Sequence, residues 1–183
     1  MLAAAGVAHR VVSPDYAEED LPGLTGRELV AAHAAGKARE VVARAGLGDA
    51  GAVLGADTAV LVGGTVLGKP ADRDEARQML TGLAGREHVV ATAVCLITAE
   101  SEHAFVDEAA VSFRPFGAGH IAWYLDRGEW QGRAGAYAIQ GSGASLVARV
   151  EGDFTTVVGL PMGRLLTLFE QCGLAPWQAH ETT

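Results

Sequence analysis

The chain has 183 residues, 14 of them basic and 22 acidic, for a formal net charge of −8. That balance excludes a nucleic-acid binder held by a basic surface, and no apolar run approaches the roughly 20 residues of a membrane span. Hydrophobic residues make up 49% and there are only two cysteines, so a single core-forming domain without a disulfide framework is expected, in a reducing cytoplasmic setting.

The opening MLAAAGVAHRVV lacks a basic n-region and a cleavage site, which argues against a signal peptide. It reads as an amphipathic helix whose tail ends at Gly6, followed by a short strand at His9–Ser13. Glu18, Glu19 and Asp20 form an acidic loop cluster between Pro14 and Pro22. Thr25 and Glu28 make a capping box, predicting a helix that carries Lys37, runs to about Ala45 and stops at Gly46.

The apolar run AVLGADTAVLV (52–62) has strand length and contains one acid, Asp57. Gly63-Gly64 is a two-residue hairpin signal, with Thr65–Leu67 as the returning strand. Counted outward from that turn, Thr58 falls opposite Lys69 and Asp57 opposite Pro70. Asp57 and Lys69 therefore share the open end of the hairpin, near each other without a required contact.

Asp72 and Glu75 start a second helix with Ala76, Met79, Leu80 and Leu83 at helical spacing. His88–Thr98 reads as a buried strand, Val111–Phe113 as another, and Ile121–Leu125 as a short helix. Tyr137–Ile139 leads into Gln140-Gly141-Ser142-Gly143, and Ser145–Val150 returns as a strand. After Val157-Val158, Pro161 opens a last helix through Gln171, capped by Gly173 and followed by a flexible tail at 174–183. The fold class is α/β, with a mixed sheet flanked by helices.

Asp57 is the first chemical candidate, because a carboxylate in an apolar strand is costly unless paired, hydrogen-bonded or metal-bound. It either serves a site or satisfies backbone amides at a strand end. Twelve of the basic residues are Arg and two are Lys, namely Lys37 and Lys69. A lysine kept in such a chain suits a place that needs a compact cation, such as a phosphate site. The acidic trio is either a Mg²⁺ site or a solvated loop, and Gly141-Ser142-Gly143 either an anion nest or a turn. Gln140 could read a base edge. His88, His120, Cys95 and Cys172 read as structural, and Trp123, Tyr124 and Trp130 as packing residues.

Five ordered strings carry a resemblance: Gly55-Ala56-Asp57-Thr58; Leu67-Gly68-Lys69-Pro70; Gly85-Arg86-Glu87-His88 with Thr92; Ala134 to Gly141 (AGAYAIQG); and Glu151-Gly152-Asp153 followed by Val157 to Pro161. Together they resemble the Maf family, from about Leu2 to Gly173. The resemblance implies a nucleoside triphosphate pyrophosphatase that cleaves between the α- and β-phosphates with Mg²⁺ or Mn²⁺. It also implies an elongated fold related to the inosine triphosphate pyrophosphatases, a homodimer, and one Maf-like domain over 1–183.

By position, Asp57 matches the catalytic aspartate, as base or metal ligand, and Glu18 an acidic residue that helps bind metal. Lys37, Lys69 and Gln140 match substrate-binding positions, and Arg133 stands where many relatives carry Lys. The A-Y-x-I-Q-G string resembles the dTTP/UTP branch. The family opens with a strand and an S-x-S-P-R-R phosphate grip, whereas this sequence starts at Met1-Leu2. A missing first strand and low activity are therefore expected. The alternative is a catalytically weak homologue that acts by binding partners in septum control.

Overall fold

In the computed structural model, residues 1–19, 21–48 and 51–177 are described. Helix α1 (Gly26–Ala45) starts where its capping box places it. The Thr25 side chain accepts from the Glu28 N–H, and the Glu28 carboxylate accepts from the Thr25 N–H at 2.8 Å. Strand β1 (Ala52–Val62) turns through Gly63-Gly64, at φ 56° and 83°, into β2 (Thr65–Leu67). Val60 pairs with Leu67 and Leu61 with Val66, the register the hairpin implied. The Asp72 carboxylate accepts the Asp74 and Glu75 N–H groups and starts α2 (Arg73–Leu83).

Strands β3 (Glu87–Thr98), β4 (Glu102–Phe113) and β5 (Val147–Glu151) complete a five-stranded sheet of order β2-β1-β3-β4-β5. The α/β class holds, but every pairing is antiparallel, so the sheet is not the mixed one expected. The reason is topological. Strands β2 and β3 run parallel to each other, but β1 lies between them, so the α2 crossover joins strands that do not pair.

Two further expectations are corrected, and the Val157-Val158 stretch, to which the sequence assigns no element, is placed. His9–Ser13 forms no strand; it belongs to an extended segment lying along α1, where Arg44 donates to the Ser13 carbonyl and Glu40 accepts from Asp15 N–H. Strand β4 is far longer than Val111–Phe113, because 11 residues of β3 pair with it. The Val157-Val158 stretch belongs to a short helix α4 (Phe154–Val158), started by the Asp153 carboxylate. Helix α3 (Ala118–Leu125) is where expected. So is α5 (Met162–Gln171), with Pro161 just ahead of it.

Strand alternation divides the core. Ala59, Ala91, Ala93 and Cys95 face Ala34, Ala35 and Ala38 of α1. Val60, Val90 and Val111 face the opposite side, where they meet Leu80, Leu83, Tyr124 and Tyr137. A third cluster joins Val94 and Leu96 to α5, and Leu174 and Ala175 of the expected tail pack into it. Residues 178–183 of that tail lie outside the described residues. Among the described residues no helix is long and apolar enough to cross a membrane.

Candidate active site

Strand β2 ends at Leu67 after three residues, while β1 continues for eight more before Val60. The edge of β1 from Ala56 to Ala59 therefore has no strand neighbour among the described residues. A cleft of about 540 Å³ opens at this exposed edge. Lys37, Asp57 and Lys69 line one part of it, and Arg133 and Gln140 another. Val60, Val157 and Val158 supply an apolar wall.

Lys37 and Asp57 meet because α1 lies very close to β1. A Cβ on Gly55 would overlap the Ala34 carbonyl oxygen and press on Ala38 Cβ at 3.0 Å, so only glycine allows this approach. Lys37 Nζ then reaches Asp57 Oδ1 at 2.6 Å, with the two side chains only 16% and 11% exposed. Glu18 arrives by a different route. Tyr16 packs on Gly36, where a Cβ would overlap its ring, and its hydroxyl lies 3.1 Å from His33 Nδ1. Two residues later Glu18 bridges both lysines, at 2.6 Å from Lys37 Nζ and 2.9 Å from Lys69 Nζ.

Partial burial alone would raise the Glu18 carboxyl, but hydrogen bonds and charge from Lys37 and Lys69 outweigh it and hold the group down to about 2. Burial pulls the Lys37 ammonium down, yet its bonds to Asp57 and Glu18 prevail and raise it. The cluster thus favours the charged forms of the Glu18 carboxylate and the Lys37 ammonium together. Half-buried ion pairs of this kind contribute little net stability and are common at functional sites.

Lys69 and Asp57, expected near each other, share the cleft and are linked through Glu18 and Lys37 rather than touching. Glu19 is exposed and makes no ion pair within the cluster, and Asp20 lies outside the described residues. Gln140 is exposed on the cleft wall, ahead of the 3₁₀ turn Gly141–Leu146.

The Gly141-Ser142-Gly143 nest is already filled. The Glu129 carboxylate accepts the Ser142 N–H at 2.9 Å and the Gly143 N–H at 3.2 Å, so it takes the place an external anion would have. These amides hold the Glu129 carboxyl below its ordinary range. Nothing in the sequence pointed to Glu129, which is separated by 13 positions from Ser142. His88 is structural as expected: its Nε2 lies 2.8 Å from the Tyr137 hydroxyl, and burial pushes it down to about 4. Tyr124 and Trp130 are buried, whereas Trp123 is 39% exposed with the Arg127 guanidinium over its ring. Cys95 is a buried free thiol, raised to about 11 by burial first and the Glu102 charge second.

No group of three or more His, Cys, Asp and Glu side chains poised for a metal occurs among the described residues. The donors that fit a hard cation are the Glu18 and Asp57 carboxylates, both within 2.6 Å of the same Lys37 nitrogen. Mg²⁺ is commonly held by one or two carboxylates, with substrate phosphates and water completing its shell, so this pair fits.

Comparison with known proteins shows the family. The Maf-like protein family matches residues 1–172. A dTTP/UTP pyrophosphatase of Symbiobacterium thermophilum is 42% identical over 94% of this chain and 88% of its own length. One from Anaeromyxobacter dehalogenans is 43% identical over 97% and 91%, and one from Thermus thermophilus 43% over 96% and 90%. The chain belongs to the Maf-like family.

Proposed function

We propose that this protein is a nucleoside triphosphate pyrophosphatase acting on dTTP and UTP. Water adds to the α-phosphorus, the α–β anhydride bond breaks, and the monophosphate and pyrophosphate are released. The observation that carries this reading is the Glu18–Lys37–Asp57–Lys69 cluster at the edge of a cleft large enough for a nucleotide. The names of the relatives support dTTP and UTP as substrates.

Asp57 is the catalytic group. Its Oδ1 is fixed by Lys37, while Oδ2 has no hydrogen bond to a described residue and is left for the attacking water, whose proton it takes. Lys37 and Lys69 bind phosphate oxygens, and Gln140 presents an amide to the base. Glu18 and Asp57 would hold Mg²⁺ or Mn²⁺, which offsets triphosphate charge that the four mutually cancelling side chains cannot. The apolar wall of Val157 and Val158 keeps bulk water from the nucleoside half. The same reading makes the chain one Maf-like domain, a homodimer, and cytoplasmic, the last supported by its two unpaired cysteines.

Pyrophosphate release from dTTP, UTP, CTP, ATP and GTP, measured with Mg²⁺ and with Mn²⁺, tests the reading. dTTP and UTP are expected to be cleaved fastest, with kcat for Asp57→Asn lower by about a hundredfold or more. No release from any triphosphate by the folded protein would sink it.

A further inference from the structure

Behind Thr58 a chain of hydrogen bonds crosses the sheet. Thr58 Oγ1 lies 2.9 Å from Thr92 Oγ1, the Thr92 hydroxyl donates to the Thr156 carbonyl at 2.7 Å, and the Thr156 hydroxyl donates to Asp107 Oδ2 at 2.6 Å. On the far side Arg164 Nη1 lies 3.3 Å from Asp107 Oδ1. Thr92 and Thr156 are wholly buried.

Each hydroxyl carries one proton. Those of Thr156 and Thr92 are committed to a carboxylate and a carbonyl, both of which can only accept. The Thr58 proton must therefore point at Thr92. What Thr58 turns toward the cleft is oxygen without a proton, an acceptor whose direction is set two groups away, by the Thr156 carbonyl. The way to it is left open by Gly159, also on the cleft wall, where a Cβ would approach the Thr58 oxygen to 3.4 Å.

We propose that Thr58 is a specificity residue that accepts a hydrogen bond from the 3′-hydroxyl of the nucleotide sugar. The inference rests on the nucleotide substrate argued above. Thr58 follows Asp57 directly and faces the apolar wall rather than the lysines. In a nucleotide the sugar is the unit next to the α-phosphate, and the base, one unit further, is left to Gln140. The 3′-hydroxyl is a donor that dTTP and UTP share, whereas only UTP has a 2′-hydroxyl.

The test is calorimetric binding of α,β-methylene dTTP, of its 3′-deoxy counterpart and of its N3-methyl counterpart, none of which needs to be cleaved. Wild-type protein is expected to lose about three- to tenfold in affinity when the 3′-hydroxyl is removed. Thr58→Val should bind both nucleotides equally, at the weaker level, and Thr58→Ser should behave as wild type. Thr92→Val releases the Thr58 proton and should shrink the penalty, a response that a purely structural threonine would not give. A full 3′-deoxy penalty retained in Thr58→Val overturns the proposal. So does a penalty that Thr58→Val abolishes only for the N3-methyl analogue. Binding that follows this pattern without pyrophosphate release would leave Thr58 in place and overturn the proposed reaction alone.

Discussion

Lys37 and Asp57, 20 positions apart and on different elements, meet at 2.6 Å beside the open edge of β1. The ammonium is shared with Glu18, so one side chain holds two carboxylates that would otherwise repel. Replacing Lys37 with Met should lower kcat/KM for dTTP by about a hundredfold, the scale of losing a preorganised charged donor. Lys37→Arg should recover only part of this, because a planar fork does not fit a point between two carboxylates. Steady-state kinetics on the two variants would show it; wild-type kinetics in Lys37→Met would contradict the role.

Gly55→Ala tests how the cluster is built without touching a charge. The new methyl meets the Ala34 carbonyl and Ala38, so α1 must move away from β1 and carry Lys37 with it. A stability loss of about 1–3 kcal/mol is expected from the overpacking, together with a fall in kcat. Denaturant melts combined with turnover measure both. A variant of normal stability and normal turnover would refute the close-approach argument.

The fold should lose stability on mild acidification. His88 is held down to about 4 by burial, whereas unfolded histidine takes its proton near 6.5, so between these values the unfolded chain binds more protons. Stability is therefore full above about pH 6.5 and falls as pH drops toward 4, by about 3 kcal/mol in all. A second decline begins near 4.5, where carboxylates in the unfolded chain protonate, and continues toward 2 as Glu18 loses its charge. Melting temperatures from pH 8 to 4 should show the first decline, and His88→Gln should remove it.

Glu129→Ala empties the amide nest of Ser142 and Gly143 and unfastens the turn that follows Gln140. KM for dTTP should rise severalfold with kcat little changed, since the lysine cluster is not involved. If kcat falls with KM unaltered, Glu129 acts on the chemistry instead. Adding phosphate separates a further possibility: recovery of KM by millimolar phosphate would mean that the vacated nest accepts an anion.

Local signals in the sequence were sound where the physics is local. The Thr25–Glu28 box, the Gly63-Gly64 hairpin register and the Asp72 cap each involve residues within a few positions, and the structure has all three. Strand β4 was mostly hidden because its first three residues, Glu102 to Ala104, are exposed and Asp107 and Glu108 add two more charges; pairing with β3 holds it extended. Helix α4 did carry a sign, since Asp153 two residues before Thr155 is an N-cap pattern. In the site, Asp57 stood out as a lone acid in an apolar strand. Its contact with Lys37 depends on Gly55, and the arrival of Glu18 on Tyr16 lying over Gly36. Such close approaches between distant segments leave no periodicity to detect. Glu129 and the threonine relay were hidden for the same reason.

The brevity of β2 has a consequence for how this protein could be improved. Stability is gained most simply by extending a hairpin, and three more residues of pairing beyond Leu67 would cover β1 as far as Asp57. That change would also occupy the floor of the cleft. A hairpin lengthened in this way would set Pro70 opposite Asp57, so it is expected to lose turnover whatever it adds in stability.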